Sequence, residues 1–314
     1  MTSGLGEAPP GECRRSGLGW GAAMSWDRRA YVLVEDDAER SLGPAMAWAA
    51  AGGADDLVLL ATAAGGWLAR RAACFESPPD VLEVEGASLR PAVPEAPPGP
   101  KASALGDGDA QLLSEAALEA GAEPVTLDGT LRAEVDGLEV ARAERDDAGW
   151  YLAVGVGGHD RTAQRLLHGG RPPLSALQAA VSEVRRHRRG GAPSHPANQL
   201  APERWLRATL VRRPEIVGAR RLEPVEHPVL SPGLGSRSPC AARGVDGDGS
   251  PLLVVCSTGV DLDLVPAAAD ARSALGAGRL VLAVPEGDVP PSTLSLARRL
   301  LEPAQVRLVP RSWR

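Results

Sequence analysis

The densest run of residues equipped for chemistry is Gly155-Val156-Gly157-Gly158-His159-Asp160-Arg161, where a strand is expected to end and a helix to begin. Glycines there allow a turn that aims amide N–H groups at an anion, Asp160 is placed to cap the helix, and His159 and Arg161 would add donors. The same residues also suit an ordinary capped helix entry with a neutral, hydrogen-bonded histidine. Two more loops follow apolar runs, Glu35-Asp36-Asp37 and Ser257-Thr258-Gly259-Val260-Asp261. Neither carries GxGxxG or GxxxxGK[ST], so a standard nucleotide fingerprint is unsupported, and no GxSxG elbow marks a serine nucleophile. The acidic loop would suit a hard cation such as Mg²⁺, although solvated loop carboxylates are the commoner case. Cys13, Cys74, Cys240 and Cys256 follow no CxxC or Cys/His spacing and are too sparse for a disulfide scaffold, which points to a reducing cytoplasm.

Charge is unevenly spread. The 314 residues hold 34 Lys plus Arg and 40 Asp plus Glu, a net −6. From Arg161 to Leu222 there are 13 Arg against Glu183, Glu203 and Glu215, which makes +10 there and −16 in the remaining 252 residues. A ligand feels the local patch rather than the net charge, so Arg161, Arg165, Arg185, Arg186, Arg188, Arg189, Arg204 and Arg207 are candidates for holding nucleic acid or another anion. Two plainer readings compete. Cations at a helix C-terminus complement its dipole, by about 0.3–1 kcal/mol each, and the chain's own acids could neutralise the patch. Arginine abundance is itself a weak signal, since every basic residue except Lys101 is Arg, a bias that GC-rich coding produces.

These residues need elements to hold them. Residues 1–23, rich in Gly, Pro and Ser, read as a disordered leader ahead of Met24-Ser25-Trp26, a plausible alternative start. Residues 28–88 alternate short apolar runs with helical stretches, giving strand, helix, strand, helix, strand and predicting a small parallel sheet in an α/β lobe. A Pro-rich linker is expected over 89–108, a mixed unit of antiparallel strands and basic helices over 109–222, a Pro/Gly-rich linker over 223–251 and a second α/β lobe over 252–311. The fold class expected is therefore α/β, with two Rossmann-like βαβαβ lobes flanking the basic middle. A slide of 222 positions places Leu42, Pro44, Ala45, Ala47 and Ala49 on Leu264, Pro266, Ala267, Ala269 and Ala271. Either an internal duplication or shared βαβ rules would produce that match. Around Pro202, a helix is expected to turn Trp205 and Leu206 to a core and Arg204 and Arg207 to the other side.

In the middle unit a helix is followed by Gly137-Leu138-Glu139-Val140-Ala141-Arg142 on a strand, an Asp-Asp-Ala-Gly turn, the strand Trp150 to Val156, and a helix. This order, over about residues 108–170, resembles a degenerate core of the PD-(D/E)XK restriction-endonuclease-like superfamily. The resemblance implies Glu139 as the acidic Mg²⁺ ligand of a phosphodiester-cleaving site. Ala153-Val154-Gly155-Val156-Gly157 stand where Glu-x-Lys should follow, so the implied centre is incomplete and nucleic-acid binding without cleavage is the expectation. Catalytic candidates are Glu139, His159 and Asp160. An enzyme with a small anionic substrate held between the two lobes, using His159 or His195 as acid/base, is the alternative, and a basic module docking on an acidic protein surface is a third. No stretch of 18 uninterrupted apolar residues and no secretory-type apolar segment occur, so a cytoplasmic protein without a membrane partner is expected.

Overall fold

The computed structural model describes residues 13–99, 101–191, 195–227 and 238–313. Among the described residues the fold is mixed α/β, with eight α-helices and three sheets. No described helix is long and apolar enough to cross a membrane. The chain forms two compact units: residues 13–98 with 259–282 and 288–306, and residues 99–258 with 283–287 and 307–313.

The first unit is built on a six-stranded sheet in the order β1 to β6: β1 (Arg14–Leu18), β2 (Gly21–Trp26), β3 (Arg29–Val34), β4 (Asp56–Ala61), β5 (Asp80–Glu85) and β6 (Ser88–Pro91). The three middle strands are parallel, with Val32 opposite Leu59 and Leu59 opposite Val81. Helices α1 (Leu42–Ala51) and α2 (Gly65–Ala72) connect them, as the apolar runs predict. Side chains alternate across a strand, so one sheet face gathers Met24, Tyr31, Val58 and Leu60, with Trp26 stacked on Tyr31 at 4.6 Å. The expected leader is corrected over 14–23, where β1 and the start of β2 add an antiparallel hairpin to β3. That hairpin has little apolar alternation of its own. It is held by pairing, and Gly21 lies so close to β3 that a Cβ there would stand 1.9 Å from the Leu33 carbonyl oxygen. Residues 1–12 of the leader fall outside the described residues.

Helices α7 (Leu264–Ala274) and α8 (Pro291–Arg298) belong to the same unit, although they come late in the chain. The two segments that match on sliding by 222 positions, α1 and α7, pack on each other. Small side chains permit this: Ala45 and Ala49 on α1, and Ala267, Ala268 and Ala271 on α7, are all buried. Gly43 donates its N–H to Asp263 Oδ1 at 2.9 Å, and a Cβ on it would lie 2.0 Å from the Leu262 carbonyl oxygen. Asp263 and Asp270 in turn hold two arginines of α2. Arg71, with no exposed surface, reaches Asp263 at 2.8 Å and Asp270 at 3.3 Å and donates to the Glu39 carbonyl; Arg70 grips Asp270 with two bonds of 2.8 and 3.1 Å. Both guanidiniums lie over the Trp67 ring, 4.4 and 4.8 Å from its centroid.

The second unit contains a four-stranded antiparallel sheet, β10-β9-β8-β7, from β7 (Glu123–Leu127), β8 (Thr130–Val135), β9 (Leu138–Asp146) and β10 (Gly149–Val154). Helices α3 (Asp107–Glu119) and α5 (Leu174–His187) cover one face, burying Ala117, Val135, Val140, Leu177 and Val181 together. Helix α4 (Gly158–Leu167) follows β10, and α6 (Pro202–Arg212) packs on β11 (Ala219–Val225), β12 (Cys240–Asp246) and β13 (Pro251–Cys256). A third sheet runs in the order β11-β12-β13-β14-β15, with β14 at Arg279–Pro285 and β15 at Gln305–Val309. The expected linker over 223–251 therefore ends in a strand, β12, antiparallel to both β11 and β13, while its residues 228–237 lie outside the described residues. Residues 252–311 do not stand alone as a lobe: α7 and α8 count with the first unit and β13 with the second.

Two predictions follow from the α1–α2–α7 packing. Gly43→Ala forces a methyl into the Leu262 backbone and should lower the melting temperature, followed by circular dichroism, by roughly 5 °C or more. Burial holds the Asp263 carboxyl up, at about 7 against an ordinary 3.8, with Arg71 opposing. Its stabilising contribution is complete below the unfolded value and lost as pH rises through about 7. Thermal melts between pH 4 and pH 8 should thus show wild type losing ground to Asp263→Asn as pH increases, and parallel curves would refute this.

Candidate functional site

The second unit holds the residues that the sequence singles out, and the β8–β9 turn organises them. Asp136 and Gly137 have φ of 48° and 74°, the left-handed pair that a two-residue hairpin requires. Gly137 has no room for a side chain, since a Cβ would sit 2.2 Å from the Arg204 carbonyl oxygen on α6. The register places Glu134 opposite Glu139, and both are 1% exposed. Facing carboxylates repel. They persist because arginines converge on them. Glu139 Oε1 accepts from Arg142 Nε at 2.6 Å and Arg161 Nη1 at 3.1 Å, Arg142 Nη2 bonds Oε2 at 3.0 Å, and Arg132 lies 3.6 Å away. Glu134 takes Arg207 at 2.8 Å, with Arg204 at 3.9 Å. The hydrogen bond to Glu139 holds the Arg142 guanidinium above its ordinary value, whereas burial pulls Arg132 below it against the attraction of Glu139.

This arrangement does not fit the Mg²⁺ centre that the nuclease resemblance implies. A metal ligand needs a lone pair turned to the ion, and the Glu139 oxygens are turned to guanidiniums. Among the described residues no three His, Cys, Asp or Glu gather to hold a metal ion. The Gly155–Arg161 turn is likewise self-satisfied. Helix α4 begins at Gly158, three residues earlier than expected, so Asp160 sits inside its first turn and its carboxylate accepts the Val156 N–H at 2.7 Å. His159 is exposed. Gly155, at φ 142°, is required there, because a Cβ would stand 2.5 Å from the Arg161 nitrogen.

The basic patch is dispersed by its own unit. Arg161, Arg171, Arg186, Arg204, Arg207, Arg212 and Arg213 all lie within ion-pair distance of acids. Most of those acids belong to β7–β10 and their turns, and the Arg171 hydrogen bond holds Asp146 at about 2. Helix α6 has no basic outer face, since Arg207 is 1% exposed and Arg204 is largely covered. Arg188 is also buried: it donates to the carbonyls of Asp136, Leu200 and Ala201 and covers the Trp205 ring at 4.8 Å. Trp205 is buried, as expected. Arg185 is exposed yet bonded to the Gly121 carbonyl, and Arg165, Arg186 and Arg189 are exposed. His195 stacks on His187 at 3.7 Å.

No protein-family model, curated protein or solved structure matches this chain. The geometry alone must indicate a site. The concavity that does so is a groove of about 490 Å³ between the β8–β9 turn, the end of α6 and the segment after β15. Arg188, Arg189, Arg212 and Arg213 border it, with Asp136 as the only carboxylate, and Trp205, Ile216, Leu308 and Val309 supply apolar wall. Arg212 bridges Asp136 at 2.5 Å and Glu123 at 3.1 Å, while Arg189 and Arg213 are exposed. Arg212 and Arg213 escape the sequence reading because they lie 23 or more positions from the arginine run at 185–189 and are brought to it only by α6. A smaller recess of about 270 Å³ at the start of α4 contains Arg161, already paired with Glu144.

A structural rather than catalytic Glu139 has a measurable signature. Removing its charge strips Arg132 and Arg142 of their carboxylate and leaves Arg161 with Glu144 alone, so Glu139→Gln should destabilise the fold by about 2–3 kcal/mol. Urea denaturation should show a lower midpoint, and a fully stable variant would contradict the assignment.

Proposed function

We propose that this chain is a binding protein for a ligand that carries a phosphate or similar anion and an apolar portion, taken into the groove beside the β8–β9 turn. The supporting observation is the lining: four arginines against one aspartate, next to tryptophan and aliphatic wall, in a volume suited to a small molecule. Guanidiniums match phosphate and carboxylate oxygens in planar, two-bonded geometry. No catalytic role is assigned to Glu139, whose carboxylate is committed to Arg142 and Arg161. The run β3-α1-β4-α2-β5, with its parallel register, supports a Rossmann-like reading of the first unit.

A second reading, a nucleic-acid strand laid along the exposed side chains of Arg165, Arg185, Arg186 and Arg189, draws support from their exposure. Salt separates the two. Polyanion binding releases counterions and weakens steeply with salt, whereas one anionic group gives a shallow slope. Thermal shift with ATP, inorganic pyrophosphate and a single-stranded oligonucleotide should show stabilisation by a small phosphate compound that persists in moderate salt. It should vanish in the double variant Arg189→Glu/Arg213→Glu, whose exposed positions leave folding intact. A response to the oligonucleotide alone would favour the second reading, and silence to all three would refute both.

A further inference from the structure

Two of the four cysteines, unremarkable in the sequence, meet in the second unit. Strands β12 and β13 are antiparallel, and their register sets Cys240 directly opposite Cys256. Facing residues of such a pair have Cα atoms about 4.5–5.5 Å apart, inside the range of about 4.4–6.8 Å that a disulfide spans. Both are free thiols and both are buried, Cys256 completely and Cys240, the first residue of its strand, at 8% exposure. The facing Cys240 thiol, followed by burial, pushes Cys256 well above its ordinary value. The Arg207 guanidinium of α6 opposes that rise, favouring the charged form of Cys256.

We propose that Cys240 and Cys256 are a redox modification site, a facing dithiol that a hydroperoxide converts reversibly to a cross-strand disulfide. Cys240, the more accessible sulfur, attacks as its thiolate on one peroxide oxygen; the O–O bond breaks, leaving Cys240 as a sulfenic acid and releasing hydroxide, which takes up a proton to become water. Cys256 then attacks the sulfenic sulfur: the S–S bond forms as the S–O bond breaks, and the Cys256 thiol proton passes to the departing oxygen, which leaves as a second water. Two thiols are oxidised by two electrons, one hydroperoxide is reduced, and the two thiol protons end in the products. A small oxidant suits a buried pair, and a facing partner resolves the sulfenic acid before further oxidation. The product would fasten β12 to β13 beneath α6, closing the intervening chain into a loop and restricting the unfolded state.

The test uses the full chain carrying Cys13→Ser and Cys74→Ser, so that only the facing pair remains. After hydrogen peroxide, quenching and alkylation under denaturing conditions, peptide mass spectrometry should find the Cys240 and Cys256 peptides joined, and dithiothreitol should separate them. The oxidised protein should melt higher by roughly 5 °C and return on reduction. With Cys256→Ser added, no partner remains, and dimedone should label Cys240. Two alkylated thiols after native treatment, a link that forms only in denaturant, or a sulfinic acid at Cys240 without a link would each overturn the proposal.

Discussion

The structure depends on guanidiniums buried against carboxylates. Taking an unpaired charge out of water costs several kcal/mol, and a buried pair recovers that cost only when its hydrogen bonds are well made. Arg71 and Arg207 have 1% exposure or less, and each reaches a carboxylate on an element distant in sequence, α2 to the approach of α7 and α6 to β8, while the equally buried Arg188 ties the end of α5 to backbone carbonyls, that of the β8–β9 turn among them. Such pairs position elements more than they stabilise them. A helix one turn out of register would strand a charge in the interior, so the pairs exclude near-miss packings that an Ala- and Leu-rich core would tolerate.

That constraint also explains the uneven charge along the chain. A run of +10 beside a remainder of −16 suggests either an outward-facing patch or an inward neutralisation. The structure shows a good part of the second. Acids from β7–β10 and their turns take up many of the arginines within the same unit, and the facing glutamates of β8 and β9 take up Arg207, Arg161 and Arg142. Around the groove, Arg189 and Arg213 reach solvent.

Elements with a strong pattern of their own were legible in the sequence. The parallel strands β3, β4 and β5, the helices between them, and the β8–β9 and β9–β10 hairpins all follow from apolar runs and Asp-Gly or Ala-Gly turns. Strands β1, β2 and β12 were not, because Gly, Ala and Arg there carry no alternation and pairing with a neighbour makes them strands. The site was less legible than the fold. Arginine type and position were visible, but burial was not: Arg188 and Arg189, which follow the end of α5, are adjacent in sequence and opposite in fate. Glu139 looked like a lone acid on a strand, and only the register reveals Glu134 facing it. Cys240 and Cys256 likewise meet through a pairing that sequence spacing does not display.

The first unit is discontinuous, and this bears on how the chain can be made. Arg71 leaves the ribosome 192 residues ahead of Asp263, its carboxylate partner. At about 5–20 residues per second, the interval is roughly 10–40 s. Through that time the α1–α2 face lacks the helix that covers its alanines and the acids that answer its arginines. Most of the second unit, residues 99–258, emerges as one continuous stretch, with only the short segments 283–287 and 307–313 following later. Synthesis therefore favours an order in which the middle of the chain folds first and the beginning is completed only by the end, with the early segment exposed to chaperones and proteases in the meantime.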